Sequence, residues 1–203
     1  MSAGELILEA KVADMPWLLE ERQGTRFANS GFSQVLQMAE PRWTFNLATK
    51  WLTEAEYQDW QAWISRRRGS AITFTAWRMS QPNARVPVVS DVGLTVTAID
   101  RANNTVSFGG ATGWQATAGD MVSYYTAAGG YWCGQVLESK NAVGSAMSAL
   151  KVWPAPFEPH ATTANPRRIR ALAEFRLRMP IPMQTERKEE RFIAFTADQM
   201  IRG

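Results

Sequence analysis

Apolar and polar positions follow two different periods along this chain. Over Leu52–Phe74 the period is helical. Tyr57, Trp60 and Ile64 share one face of a 3.6-residue repeat, with Trp63 at its edge. Thr53 is placed as an N-cap, because its hydroxyl can accept from an unpaired amide in the first turn. Glu56, three residues on, completes a capping box, and Leu52 with Tyr57 forms a hydrophobic staple. Glu54 and Glu56 suit the positive end of the helix dipole, Arg66, Arg67 and Arg68 the negative end, and Gly69 a stop. The pattern predicts one α-helix, about 53–68. The local reading is a helix that plugs the open face of a sheet.

Elsewhere the period is two. Trp43, Phe45 and Leu47 alternate with Thr44, Asn46 and Ala48. Ile72 and Phe74 alternate with Thr73 and Thr75. Phe32–Met38 and Trp43–Thr49 read as two strands around the turn at Ala39–Arg42. Gly4–Val12 fits a short strand or a first helical turn. Ala13–Asn29, with Trp17, Leu18 and Leu19 between Pro16 and Gly24, reads as a loop or arm with one anchoring turn. Such an arm either docks on a neighbouring subunit or packs on its own chain.

After Trp77 the texture changes. Met79–Pro87 is linker-like, and short strands follow: Leu94–Ile99, Thr105–Phe108, Met121–Tyr125, Tyr131–Ser139 and a last one at Leu150 and Val152. Asn103, Asn104, Gly129 and Gly130 suit tight turns. Pro154, Pro156, Pro159 and Pro166 mark a second linker. Then Ala171, Ala173, Phe175, Leu177 and Met179 alternate with Arg170, Leu172, Glu174, Arg176 and Arg178 as one long strand. Phe192–Phe195 reads as a short final strand and Thr196–Gly203 as a tail. The fold class expected is mainly β. A β-sandwich-like domain with one helix comprises 1–85 and 165–203, and a small β-barrel, OB-like or SH3-like, is inserted over 86–164. The strand at 171–179 is expected to join the N-terminal sheet, and the insert to be separable from it.

Composition narrows the function. An apolar fraction of 45% with 20% charged residues predicts an ordinary globular core. A net charge of +3 is mild for a nucleic-acid binder, so specific nucleic-acid binding is not expected. Nine tryptophans suit a ring-rich core, an interface or a sugar-binding surface equally. The single cysteine, Cys133, excludes an internal disulfide and fits a reducing cytoplasm. Neither a signal-peptide layout nor a membrane-length apolar run is seen, so no membrane insertion is expected.

Catalytic chemistry is not legible. His160, the only histidine, lies in the second linker without a nucleophile or orienting acid near it in sequence. Cys133 sits in a predicted strand and reads as an inert core residue. Glu186, Glu189 and Glu190 are mixed with Arg187, Lys188 and Arg191, which reads as a solvated face. No enzyme, cofactor or metal is expected. Two basic groups remain, Arg66–Arg68 and Arg167, Arg168 and Arg170. They read either as a helix C-terminus and a solvated linker, or as inter-subunit salt bridges or contacts with DNA.

The run LTEAEYQDWQAWISRRRG between an aromatic strand and one ending in Phe74 resembles the distal tail or tail-hub proteins of long-tailed bacteriophages. AGDMVSYYTAAGGYWCGQV, LKVWPAP and LAEFRLR resemble that family in order and rough spacing. The resemblance spans most of 32–179 and excludes 1–29 and the end after Pro180. It implies a virion structural protein of the tail tip, made in the host cytoplasm. Its copies would form a ring, a hexamer in that family, between the tail tube protein and other tail-tip proteins. Trp17, Leu18, Arg66, Arg67 and Arg68 are then candidate inter-subunit or tube contacts. The alternative is a β-barrel module in which Trp114, Tyr124, Tyr125, Tyr131 and Trp132 stack on glycan or single-stranded nucleic acid.

Overall fold

The computed structural model describes residues 5–9, 11–21, 23–27, 33–37, 40–87, 90–156, 165–178 and 191–200. The described residues are mainly β, with one helix among them and a curled, half-barrel sheet. The N-terminal part contributes β1 (Glu5–Leu6), β2 (Val12–Asp14), β3 (Trp17–Glu20), β4 (Gln23–Phe27), β5 (Ser33–Gln37), β6 (Arg42–Thr49), α1 (Glu54–Arg66) and β7 (Phe74–Ala76). The middle contributes β8 (Thr95–Asp100), β9 (Thr105–Gly109), β10 (Gln115–Ala116), β11 (Met121–Tyr125), β12 (Tyr131–Val136), β13 (Lys140–Asn141) and β14 (Ala146–Trp153). β15 (Ala173–Leu177) and β16 (Ala194–Gln199) follow.

The larger sheet has the order β1-β7-β15-β16-β6-β2, with β3 also pairing with β6. It therefore draws strands from both terminal parts of the chain. β15 lies antiparallel to β7, with Phe175 opposite Phe74, which is the pairing expected for 171–179. Alternation decides which face each side chain takes. Trp43, Phe45, Leu47, Phe74, Ala173, Phe175, Leu177, Phe195 and Ala197 point into one buried core. α1 covers that core with Trp60 and Trp63, both fully buried. The Trp63 ring meets Phe74 edge-on at 4.9 Å, and Trp60 lies 6.2 Å from Phe195. The helix begins as its sequence predicts. Thr53 Oγ1 accepts from the Glu56 amide at 3.4 Å, and the Glu56 carboxylate accepts from the Thr53 amide at 2.8 Å.

Several elements differ from the sequence reading. The short final strand expected at Phe192–Phe195 is β16, which runs on to Gln199 through residues read as a tail and is an inner strand between β15 and β6. Its inward positions are Phe195, Ala197 and Gln199, and only the first is a large apolar residue. Gln199 is tolerated there because its side-chain oxygen accepts the Trp43 amide at 3.0 Å. The segment read as an arm forms strands: β3 lies along β6 with Trp17 opposite Phe45. β5 pairs with β4 in a separate ribbon instead of with β6. The strand expected over 71–77 is cut to Phe74–Ala76, since Arg67–Ile72 is a turn closed by the Ile72 amide on the Arg67 carbonyl.

The second sheet runs β11-β12-β14-β9-β8, all antiparallel, with β10 and β13 as a small ribbon beside it. Val106, Phe108, Trp114, Tyr124, Trp132, Met147, Leu150 and Val152 fill its core. Gly110 after β9 has φ +68°, and a Cβ there would fall 2.0 Å from the Gly93 carbonyl oxygen.

The two sheets are joined by buried contacts, against the expectation of a separable insert. Met121 and Cys133 belong to the core of the larger sheet. The Trp43 indole donates to the Cys133 carbonyl at 3.0 Å, and the Leu172 amide donates to Ser123 Oγ at 2.8 Å. Replacing 87–163 by a short Gly/Ser linker is thus predicted to give insoluble protein, because it uncovers the Trp43 side of the aromatic core. Recovery of a soluble, cooperatively melting shortened chain would refute this.

Thr53→Ala is predicted to lower stability by about 1 kcal/mol in thermal or urea melts. The Thr53 amide and hydroxyl lower the Glu56 pKa, and Lys11 at 3.2 Å adds to this. A depressed folded pKa means that the cap's charged contribution is present above the unfolded pKa. It is lost as pH falls through the folded value. The Tm difference between wild type and Glu56→Gln should therefore shrink as pH drops through and below the ordinary carboxylate range. A difference independent of pH would exclude this coupling.

Candidate interaction surface

Alternation on β3 separates the two N-terminal candidates. Trp17 points inward and is 7% exposed, packed edge-on against Phe175 at 5.0 Å and within 6.0 Å of Trp43. It is a core residue of its own chain, not the anchor of an exposed arm. Leu18 points to the opposite face of the sheet and is 55% exposed.

The three arginines after α1 divide in the same way. Arg67 caps the helix, its amide donating to the Ile64 carbonyl at 2.9 Å. Its buried guanidinium lies 4.6 Å from the Trp63 ring centre and donates to the Thr73 carbonyl and the Glu5 carboxylate. Arg67 is therefore structural. Arg66 is exposed, with Glu5 at 3.4 Å, and Arg68 is exposed with φ +47°. Arg66 reaches Glu5 of β1, at one edge of the larger sheet, and Arg68 lies in the turn that follows, while Leu18 lies on β3 near the other edge. The five candidates thus reduce to two surface patches, one apolar and one basic, at opposite edges.

The open face of the larger sheet carries a charge network that the linear pattern does not reveal. Arg178 donates to both Asp198 carboxylate oxygens, at 3.1 and 2.6 Å, and approaches Glu20 at 3.4 Å. Glu20 in turn accepts from Arg42 at 3.3 Å. The Asp198 hydrogen bonds, opposed by desolvation, raise the Arg178 pKa further. The only available signal was the outward register of Arg176 and Arg178 in the long alternating strand. The partners of Arg178 lie on strands read as an arm and a tail.

The aromatic candidates of the second sheet are mostly core. Trp114, Tyr124 and Trp132 are buried, which removes them from any stacking platform. Tyr125 and Tyr131 remain half-buried at the end of the β11–β12 hairpin, edge-to-face at 5.1 Å. Of the nine tryptophans only Trp51 is exposed, beside Phe192, where the Leu52 amide donates to the Arg191 carbonyl. High tryptophan content here serves the interior.

Arg168, read as part of a solvated linker, is 6% exposed. His160 and Glu186, Glu189 and Glu190 lie outside the described residues. Among the described residues no three His, Cys, Asp or Glu side chains gather as metal ligands, and no helix is long and apolar enough to cross a membrane.

Cys133 is fully buried, and burial pushes its thiol pKa far up. It is predicted to resist a thiol-specific reagent in the native protein at pH 8 and to react fully in denaturant. Stoichiometric labelling of the native chain on the mixing timescale would contradict this.

Compared with known proteins, the chain matches no family model and no curated protein.

Proposed function

We propose that this protein is a structural virion component, a distal tail or tail-hub protein of a long-tailed bacteriophage. Its copies close a ring that joins the tail tube to the host-recognition tip. The observation that carries the reading is where the family-like stretches fall in the fold. LTEAEYQDWQAWISRRRG is the capped helix that closes the larger sheet. LAEFRLR is β15, which pairs with β7 directly after that helix. AGDMVSYYTAAGGYWCGQV is the β11–β12 hairpin that meets the same core through Met121 and Cys133. The resemblance lies on the framework of the fold and not on scattered surface positions.

The surface supports a ring in a second way. A cyclic ring needs a heterologous interface, in which two different patches of one chain meet. Leu18 on one edge and Arg66 with Arg68 on the other supply two such patches. A partner of either patch needs no cofactor, and the work done is geometric. By the family resemblance the ring is a hexamer located at the tail tip. The second sheet then projects toward other tip proteins.

Native mass spectrometry and negative-stain imaging test this, on the chain alone and mixed with its tube protein. A ring-sized oligomer is expected in at least the mixture, and Leu18→Asp should abolish it while leaving the melting temperature nearly unchanged. A strict monomer under both conditions would overturn the proposal.

A further inference from the structure

The chain passes between the two sheets twice, and the described parts of these passages are 77–87 and 90–94 going out and 165–172 coming back. Met79–Pro87 in the first passage and Arg167, Arg168 and Arg170 in the second are expected from the sequence to be plain linker. They instead meet in a polar contact in which Arg168 is buried and Asp91 partly so. The Asp91 carboxylate accepts from the Arg168 amide at 3.1 Å, the Ile169 amide at 3.0 Å and Arg168 Nε at 2.8 Å. The Arg168 guanidinium also donates to the Ser90 carbonyl at 2.6 Å and lies 5.0 Å from the Trp114 ring centre. Trp114 is part of the second sheet's core. One side chain of the returning passage is thus bolted to the outgoing passage and to the second sheet's interior.

Other contacts follow from that placement. Ser123 and Arg167 exchange backbone hydrogen bonds at 3.0 and 2.8 Å, which extends the second sheet past β11. The Leu172 amide, just before β15, reaches Ser123 Oγ at 2.8 Å. The Arg170 amide donates to the Pro82 carbonyl at 2.6 Å, and its guanidinium lies 4.8 Å from the Trp77 ring centre. On the outgoing side the Arg85 amide donates to Asp120.

We propose that the Asp91–Arg168 pair is a clasp that fixes the orientation of the second sheet on the larger one. Arg168 is the buried member of the pair, and removing Asp91 leaves its guanidinium charged and without its carboxylate partner. Such a pair is suited to selecting one arrangement. The apolar contact of Met121 and Cys133 holds the sheets together, and the clasp sets their angle and register. In this role Arg168 is a positioning residue. The inference is independent of ring formation, since it concerns contacts within one chain.

Hydrogen exchange read by mass spectrometry on the full chain tests it, using peptides that cover 121–125 and 165–172. The protected amides at Ser123, Arg167 and Leu172 do not bond to the pair itself, whereas those of Arg168 and Ile169 in the second peptide do, so the 121–125 peptide gives the decisive reading. In Arg168→Met and in Asp91→Asn, exchange in both peptides should quicken by about tenfold or more, while peptides from β6 and β9 keep their wild-type rates. Asp91→Asn keeps an acceptor for the two amides, so it serves as the reading if Arg168→Met does not fold. Arg167→Met is the control, because its side chain is exposed and only its backbone joins the sheet; its rates should match wild type. Unchanged exchange at 121–125 and 165–172 would overturn the proposal. So would equal acceleration in every peptide, which marks general destabilisation, or the same effect from Arg167→Met.

Discussion

The fold depends on the packing of Phe175. Its ring meets Phe45 at 4.7 Å and Trp17 at 5.0 Å, both nearly perpendicular, and lies 6.1 Å from Phe74. Those three rings come from β6, β3 and β7, all before residue 77, whereas Phe175 arrives after the whole second sheet has been made. Edge-to-face ring pairs add to the area they bury, so this junction rewards the return of the chain. β15 then provides the edge on which β16 pairs, and β16 provides Phe195 against Trp60 and Trp63. The helix packs on Phe74 of β7, and the C-terminal strands complete the surface it covers by adding Phe195.

What could be read from the sequence was local. The cap of α1 uses Thr53 and Glu56, three residues apart, so its signal lies inside one window. β11 is bounded by Gly119-Asp120 and Gly129-Gly130, and its extent was legible for the same reason. The failures involve residues whose partners are distant. Arg168 in a proline-rich stretch reads as solvated, because Asp91 lies 77 positions away. Gln199 reads as a tail residue, since nothing near it indicates that it will satisfy the Trp43 amide 156 positions earlier. Three consecutive apolar residues, Trp17, Leu18 and Leu19, hide an alternation that only pairing with β6 makes visible.

The candidate surface was legible in part. Leu18, Arg66 and Arg68 were singled out and are exposed. Trp17 and Arg67 were singled out with them and are buried. The distinction is one of geometry at a single step along the chain. On a strand, neighbouring residues take opposite faces. At the helix end, the turn after Arg66 folds the Arg67 side chain back over Trp63 and leaves Arg68 pointing to solvent. Composition carries no information on either choice.

Rigidity between the sheets bears on what a ring can do. A subunit whose second sheet swings on two loose linkers presents an outer surface of no fixed direction, and a partner must order it on binding at an entropic cost. Here Cys133 accepts the Trp43 indole in a shared core, and Asp91 and Arg168 tie the two passages together. The second sheet therefore keeps one direction relative to β3 and β1, the edges that carry Leu18 and the two exposed arginines. If copies join through those edges, every second sheet in the closed ring points the same way. On the proposed reading, that angle comes from contacts within one chain.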